Sequence, residues 1–344
     1  MAYTTVPKST DYFKPEIYTG NGSSKTISTL NFQSDFTWIK NRATTDMHSL
    51  FDAVRGATKR ISTNIITAQA TETQDLTAFN TNGFTVGTSG AVNTNNVNYA
   101  SWNWKANGAG SSNTDGTINT IKTSANTTSG FSISTYTGTG ANATVGHGLG
   151  VAPKFIIIKK YSSVANWRLY HASLGATKNL VFATDGIQTT PTMWNNTAPT
   201  STTFSLGSYN EVNDSGANHV AYCFADVQGF SKAGSYTGNG SATSPTFIYL
   251  GFKPSFVLIK NVSQEDAWFL HDSKRDGFND DNEYLRPNLT DGDSSGINRI
   301  RLLSNGFSVP TTDKSHNVSG NNYVYMAFAE EPLVSTNGVP ATAR

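Results

Sequence analysis

The chain has 344 residues, of which 14% are charged, and its formal net charge is +1. So small a charge excludes the positive field that draws a protein to nucleic acid or an anionic membrane, and we expect neither partner. The single cysteine, Cys223, excludes an intrachain disulfide and is predicted to be a small buried hydrophobe. The N-terminus lacks the pattern of a secretory signal, and no apolar run reaches the ~18 residues of a membrane helix. We therefore expect synthesis in a reducing cytoplasm without membrane insertion.

An internal repeat runs through the chain three times. Each copy opens with the motif Tyr-Thr-Gly-x-Gly, found at 18–22, 136–140 and 236–240. An apolar run ending in Lys follows at 36–40, 155–159 and 256–260, and a second strand-like run at 48–52, 167–171 and 268–272. A short segment with Phe lies at 83–84, 203–204 and 306–307, and an alternating run at 99–104, 219–224 and 323–328. Because these segments recur in the same order and at nearly the same spacing, they predict three copies of one folding unit.

The apolar residues of these segments recur with a period of two, which is the period of a β-strand. In the last segment of copy one, for example, Ala100, Trp102 and Trp104 alternate with Tyr99, Ser101 and Asn103. Turn pairs such as Asn-Gly separate the runs, and long amphipathic helical patterns are absent from the sequence. The sequence therefore predicts an all-β chain of three tandem β-sandwich, jelly-roll-like domains, each with its aromatic stripe in its own core.

The repeat predicts the boundaries of these domains. They are an N-terminal arm at 1–16, repeat one at 17–106, a linker at 107–134, repeat two at 135–227, a short linker at 228–234, repeat three at 235–332 and a C-terminal tail at 333–344. Weak alternation over 117–135 is also compatible with strands added to either neighbouring repeat. Both ends are predicted to be arms that become ordered on a partner. The sequence does not decide whether the domains form a row or surround a pseudo-threefold axis.

Two charged pairs occupy equivalent positions in copies one and three. Asp52 and Arg55 correspond to Asp272 and Arg275, whereas copy two has His171 and Leu174 there. Because both charges are lost together, we predict that each pair forms an ion pair at a strand end.

Acidic residues are concentrated in the long loop of copy three. Carboxylates are hard oxygen ligands of the kind that calcium prefers, but the spacing does not match an EF-hand loop. The pattern favours a solvated acidic loop over a calcium site, and no other cofactor is expected. The candidate metal ligands are Asp280, Asp281, Glu283, Asp291 and Asp293.

Trp194 lies outside the repeated segments, beside Asn195 and Asn196. An exposed indole can stack on a sugar ring while neighbouring amides bind its hydroxyl groups, so these residues form a candidate glycan site. The alternative is that Trp194 packs on the core of its own domain. The other tryptophans lie on repeated strands and are predicted to be buried.

Nothing in the sequence indicates catalysis. No strand-to-helix nucleophile elbow occurs, and no histidine pair has metal-ligand spacing. A pair of carboxylates for glycoside cleavage remains open, since such pairs are distant in sequence, but the three copies share no acid.

Several motifs resemble those of repeat-containing structural proteins from tailed bacteriophages, mainly marine ones. They include Val-Gly-His-Gly-Leu-Gly-Val-Ala-Pro-Lys at 145–154, Trp-x-x-Tyr-His-Ala-Ser-Leu-Gly at 167–175, Val-Ala-Tyr-Cys-Phe-Ala-Asp-Val at 220–227 and Leu-Ser-Asn-Gly-Phe at 303–307. The resemblance implies a non-enzymatic tail fibre or virion structural protein on the particle surface. The loops between the second strand-like run and the segment with Phe differ most between the copies, and we expect these variable loops to contact the host surface or other virion proteins. Its expected partners are other virion proteins, host-surface glycan and further copies of itself. A capsid decoration protein and a tailspike-like glycan depolymerase are the alternatives.

Overall fold

A computed structural model describes residues 3–182, 192–275, 283–334 and 337–338. It is almost entirely antiparallel β-structure, which confirms the prediction of an all-β sandwich fold. In the described part of the chain, no helix is long and apolar enough to cross a membrane.

Repeat one contains β1 (Phe13–Thr19), β2 (Lys25–Ile27), β3 (Phe36–Asn41), β4 (Ser49–Asp52), β5 (Lys59–Ser62), β6 (Ala70–Thr71), β7 (Leu76–Asn80), β8 (Gly83–Val86), the helical turn α1 (Gly90–Asn93) and β9 (Asn98–Trp104). Repeat two contains β10 (Lys122–Asn126), β11 (Phe131–Thr137), β12 (Ala143–Gly146), β13 (Phe155–Lys160), β14 (Trp167–His171), β15 (Leu180–Val181), β16 (Thr203–Leu206), α2 (Asn210–Asn213) and β17 (Asn218–Phe224). Repeat three contains β18 (Ser231–Thr237), β19 (Thr246–Tyr249), β20 (Phe252–Asn261), β21 (Trp268–Asp272), β22 (Arg301–Leu303), β23 (Gly306–Val309) and β24 (Asn322–Pro332). A 3-10 turn, Ser9–Asp11, precedes β1.

Each repeat has a large sheet and a small sheet. The large sheets share the four-strand order β1-β9-β3-β4, β11-β17-β13-β14 and β18-β24-β20-β21, and the small sheets share the pairs β2-β8, β12-β16 and β19-β23. The large sheets have the strand orders β1-β9-β3-β4-β5-β6, β10-β11-β17-β13-β14-β15 and β18-β24-β20-β21. The small sheets have the orders β2-β8-β7, β12-β16 and β19-β23-β22. The repeated sequence segments are therefore structurally equivalent.

The opening motif closes one end of each sandwich. In repeat one, the Tyr18 hydroxyl donates to the carbonyl of Val92 (2.7 Å), and its ring stacks on Tyr99 with centroids 5.2 Å apart. A Cβ on Gly20 would lie 2.1 Å from the carbonyl oxygen of Thr94, so only glycine fits there. The same hydroxyl contacts recur as Tyr136 to Val212 and Tyr236 to His316.

A buried asparagine holds this motif in every repeat. The Asn93 side chain accepts from the backbone N–H of Asn21 (2.9 Å) and donates to the carbonyl of Gly87 (2.6 Å). Its equivalents, Asn213 and Asn317, make the corresponding bonds. Because the amide oxygen and the amide nitrogen both form hydrogen bonds inside the protein, burial of this polar side chain costs little free energy.

The central strands of the large sheets, such as β3 and β13, are buried on both faces. One face covers the core of its own repeat, as Ile39 does in repeat one. The other face meets the large sheets of the other two repeats in a central core. A small cavity of ≈20 Å³ there is lined by Met326 and by three equivalent residues from each repeat: Phe36, Trp38, Trp104, Phe155, Ile157, Phe224, Phe256, Leu258 and Phe328.

This arrangement corrects the predicted location of the aromatic stripes. Trp102, Trp104, Tyr222 and Phe224 are buried as predicted, but they line the central core between repeats. The three domains surround a pseudo-threefold axis, which the sequence had left undecided.

The predicted arm and linkers are also integrated into the fold. Val6 of the N-terminal arm is buried in the central core, and β1 begins within that arm at Phe13. The region 107–134 holds β10 and the start of β11, and β10 adds an edge strand to the sheet of repeat two. The short linker 228–234 overlaps β18. Each repeat begins earlier than predicted, because the Tyr-Thr-Gly motif lies at the end of the first strand.

Candidate functional site: the inter-repeat junctions and one exposed sheet face

Three equivalent strands, β4, β14 and β21, each end at the last strand of another repeat. Strand β4 ends at β17, β14 ends at β24, and β21 ends at β9. Tyr222 of repeat two donates its hydroxyl to Asp52 Oδ2 of repeat one at 2.6 Å. Trp102 of repeat one donates its indole N–H to Asp272 Oδ2 of repeat three at 3.0 Å. His171 Nε2 of repeat two lies 3.1 Å from the carbonyl oxygen of Tyr325 in repeat three. Asp52, Asp272 and His171 are equivalent residues, and the three contacts form a closed cycle.

The predicted ion pairs lie at two of these junctions. Arg55 Nε is 2.6 Å from Asp52 Oδ2, and Arg275 Nε is 2.6 Å from Asp272 Oδ2. Burial alone would raise the pKa of Asp272, but the adjacent Arg275 guanidinium holds it below its usual value. The prediction that these side chains pair is confirmed, and each carboxylate also binds the neighbouring repeat.

Repeat two lacks the pair, and the strand that it contacts has no side-chain donor at the equivalent position. The residue of repeat three that corresponds to Tyr222 and Trp102 is Met326, which cannot donate to a carboxylate. A buried carboxylate with too few donors is costly, so a neutral group is better suited there. Burial lowers the pKa of His171 to about 4, and the neutral ring donates to a carbonyl instead.

Three lysines are buried around the same axis. Lys40, Lys159 and Lys260 end equivalent apolar runs and are each 0% exposed. The ammonium of Lys159 donates to the carbonyl of Ile66 in repeat one (2.9 Å), and that of Lys40 donates to Thr290 in repeat three (2.9 Å). Burial lowers the pKa values of Lys40 and Lys159 to about 8.

The described parts of the variable loops fasten neighbouring repeats together. Ala165 N of repeat two donates to Ile66 O of repeat one at 2.9 Å, and Asp293 N of repeat three donates to Arg42 O of repeat one at 2.7 Å. The sequence predicts that these loops are available for binding. Their described parts instead serve the contacts between repeats, while 183–191 lies outside the described residues.

The acidic loop of repeat three takes part in the same junctions. Glu283 Oε2 lies 2.5 Å from Arg42 Nη2, and Asp293 pairs with both Arg42 and Arg275. Asp291 pairs with Arg286. These three residues therefore form ion pairs with arginines, and calcium binding stays a prediction. Asp280 and Asp281 lie outside the described residues, and among those described no group of three acidic, histidine or cysteine side chains could hold a metal ion.

Trp194 is buried and does not offer a face to a sugar. Its side chain is 1% exposed, its indole N–H donates to the carbonyl of Lys178 (3.0 Å), and its ring contacts Tyr170 edge-on at 5.7 Å. The interpretation as a stacking platform is therefore wrong, and the alternative of packing on the domain core describes it. Asn195 and Asn196 are exposed and have φ angles of 48° and 50°, which places them in a left-handed turn.

A buried histidine cluster in repeat three has the elements of a nucleophile and its base. Ser315 Oγ lies 2.5 Å from both Asp313 Oδ1 and His316 Nδ1, and His316 Nε2 lies 2.9 Å from His271 Nε2. Ser315, His271 and His316 are almost completely buried, so a substrate cannot reach them. The cluster is structural in this conformation.

Sequence reasoning missed two aromatic residues on the outer face of the small sheet of repeat three. Phe247 is 46% and Tyr249 50% exposed, whereas Ile248 between them is buried. Tyr249 pairs across the strands with Gly306, which has no side chain to cover it. The signal was in the repeat itself, because the equivalent positions are occupied by Thr26 and Ser28 in repeat one and by Thr144 and Gly146 in repeat two.

Residues 8–332 match one family model, that of DUF7483, described as a domain of unknown function. The chain belongs to the DUF7483 family. No curated protein matches the chain. The DUF7483 match covers all three repeats and every junction residue described above in one stretch, in agreement with a single closed body.

Proposed function

We propose that this chain is a non-enzymatic structural protein on the surface of a tailed bacteriophage particle, of the tail fibre or tail-associated type. The proposal rests on the resemblance of its repeated motifs to those of such proteins. It is supported by the cyclic closure of three equivalent sandwiches. In that closure the residues common to the repeats maintain turns, cores and junctions.

The cycle of junctions makes a rigid body without a cofactor. Each repeat contacts both others through a continuous apolar core and through buried hydrogen bonds such as that from Tyr222 to Asp52. A closed arrangement requires several such contacts to break together before one repeat can separate. This rigidity suits a particle component that must persist outside the cell.

The absence of enzymatic activity is part of the proposal. The charged pairs Asp52–Arg55 and Asp272–Arg275 are buried and neutralise one another. The Ser315 and His316 pair is equally inaccessible. Incubation with host polysaccharide should release no oligosaccharide, and its release would instead support a depolymerase.

Particle analysis tests the location. We expect the protein in purified phage particles, with antibody-bound gold at the tail and a low copy number by quantitative mass spectrometry. Label over the whole head with a high copy number would favour the decoration protein instead. Absence from purified particles would contradict both proposals.

A further inference from the structure

The most unusual surface of the described protein is the outer face of the small sheet of repeat three. Phe247 and Tyr249 are the only aromatic side chains that are exposed among the residues that the structure describes. They are neighbours on one face of β19, because Ile248 between them points into the core. We name this pair the aromatic face.

The geometry of the aromatic face leaves two rings open to solvent on a rigid support. Residues i and i+2 of a strand are about 6.8 Å apart, so the two rings lie side by side. Gly306 is opposite Tyr249 on β23, so no neighbouring side chain on that strand covers the ring. The backbone beneath is fixed by pairing with β23 and by the buried Ile248.

Polar groups lie at one end of the aromatic face. Lys232 Nζ donates to the carbonyl of Tyr249 (2.9 Å) and lies 5.7 Å from the centre of its ring. The hydroxyl of Tyr3 is 3.4 Å from that of Tyr249 and donates to the carbonyl of Gly251 at 2.8 Å. The face thus combines two flat apolar surfaces with hydroxyl and ammonium groups at its rim.

The equivalent faces of the other repeats are polar. In repeat one, the hydroxyl groups of Thr26 and Thr85 are 3.0 Å apart across the strands. In repeat two, Thr144 accepts a hydrogen bond from the backbone of Thr117, whose chain runs beside it. One scaffold therefore tolerates polar residues at these positions, and the fold itself does not require Phe247 and Tyr249.

The size of the aromatic face decides between classes of partner. Two half-exposed rings offer roughly 200 Å² together, since a whole aromatic side chain buries about 150–250 Å². A stable contact with a second protein chain needs about 800 Å² on each side. The face is thus far too small for a protein interface, but it matches one or two sugar rings.

We propose that the aromatic face binds pyranose rings of a surface glycan, with the rings of Phe247 and Tyr249 packing on the C–H faces of the sugar. Dispersion contacts favour the flat C–H face of a pyranose, and its hydroxyls find partners in Lys232 and Tyr3. The low net charge favours a glycan over single-stranded nucleic acid, which also stacks on aromatic rings but needs a basic groove. This inference deepens the proposed function, for which the sequence analysis predicts host-surface glycan as a partner, and it rests on that proposal only for the source of the glycan.

Saturation-transfer NMR on the whole chain tests the binding. The probes are methyl β-glucopyranoside, methyl β-galactopyranoside, methyl α-mannopyranoside and methyl N-acetyl-β-glucosaminide. The test variant is F247T/Y249S, which introduces the residues of repeat one. The control is V164T, because Val164 is 61% exposed elsewhere on the surface. Melting temperatures check that both variants fold.

We expect saturation of the ring protons of at least one sugar with the unaltered protein and with V164T. In F247T/Y249S the affinity should fall about tenfold or more, the order expected for losing aromatic contacts. The inference is overturned by three results: no transfer to any of the four sugars, equal transfer in the double variant, or displacement of the sugar by an octathymidylate. Loss of self-association in F247T/Y249S on sedimentation would also overturn it, since the face would then be a protein interface. Detection of the protein in particles does not depend on these results, so the two proposals can fail separately.

Discussion

The hydroxyl of Tyr222 lies 2.6 Å from Asp52 Oδ2, although the two residues belong to different repeats and are separated by 170 positions in the chain. Arg55 binds the same carboxylate oxygen from its own repeat. One buried carboxylate therefore joins a local ion pair to a contact between repeats. Local and long-range structure are coupled at this atom, which leads to the first prediction.

Tyr222→Phe should destabilise the protein by about 1–3 kcal/mol, because it removes a donor from a buried carboxylate and leaves the ring in place. Urea denaturation followed by circular dichroism measures the change. Tyr12→Phe is the control, since the Tyr12 ring is only partly buried and packs on Phe230 edge-on. Equal stabilities of the two variants would contradict a role for the Tyr222 hydroxyl at the junction.

A double-mutant cycle tests the pair Asp272 and Arg275. Arg275→Ala should cost about 3–5 kcal/mol, because it leaves the buried Asp272 carboxylate without its cation. Asp272→Ala should cost less, because Asp293 still pairs with Arg275 at 2.8 Å. The double change should cost less than the sum of the two by about 1–3 kcal/mol. The exposed pair Lys8 and Asp11, 3.5 Å apart, should show a coupling of about 0–1 kcal/mol in the same measurement. Additive effects at Asp272 and Arg275 would show that they do not interact.

The missing donor at Met326 explains why repeat two has no ion pair, and this can be tested by transplanting the pair. H171D/L174R should be strongly destabilised, by more than about 2 kcal/mol, since the new carboxylate lacks the donor from the next repeat. Adding M326Y should restore part of that stability by supplying a hydroxyl, as Tyr222 does for Asp52. Thermal denaturation compares the two variants, and no recovery in the triple variant would refute the explanation.

Stability should fall as the pH drops below about 6.5, the usual pKa of histidine in an unfolded chain. Burial lowers the pKa of every histidine in the folded protein, and the value is about 4 for His171 and His219. The histidines with a lowered pKa are His48, His147, His171, His219, His271 and His316. Below about pH 6.5 the unfolded state therefore binds more protons than the folded state. Each histidine then lowers the free energy of unfolding by up to about 1.4 kcal/mol per pH unit. For His171 and His219 this loss ends near pH 4, where the folded protein also becomes protonated.

His219→Tyr isolates one of these contributions. Repeat three has Tyr323 at the equivalent position, stacked on Tyr236 as His219 is on Tyr136, so the larger ring suits the site. The variant should gain stability relative to the unaltered protein between pH 6.5 and pH 4, by up to about 1.4 kcal/mol per pH unit. Urea denaturation at several pH values measures the difference. A constant difference over this range would mean that His219 is not kept neutral by the fold.

The local structure was largely predictable from the sequence. The period of two specified strands, and the repeat specified three equivalent units. The shared loss of two charges in copy two predicted the pairs Asp52–Arg55 and Asp272–Arg275 correctly. These features depend on residues that are close in the chain or that can be compared between copies.

The candidate sites were less predictable, because exposure depends on contacts that are distant in sequence. Trp194 beside two asparagines has the composition of a sugar site, yet its ring is covered by Tyr170. Glu283 and Asp293 have the composition of an acidic loop, yet Arg42 of another repeat neutralises them. The exposure of Phe247 and Tyr249 follows from the orientation of β19, which places Ile248 in the core and its two neighbours on the outer face.

By itself the sequence determined the strands, their turns and their triplication, since backbone geometry and side-chain alternation act between near neighbours. Only the tertiary structure decided where each strand face lies. Alternation predicts that Trp102 and Ser101 lie on opposite faces of the strand. It does not predict which face packs against another repeat, and in the structure this is the face of Trp102. That choice depends on how three sheets close around one axis, because the apolar faces of all three can be removed from water together only in a closed arrangement.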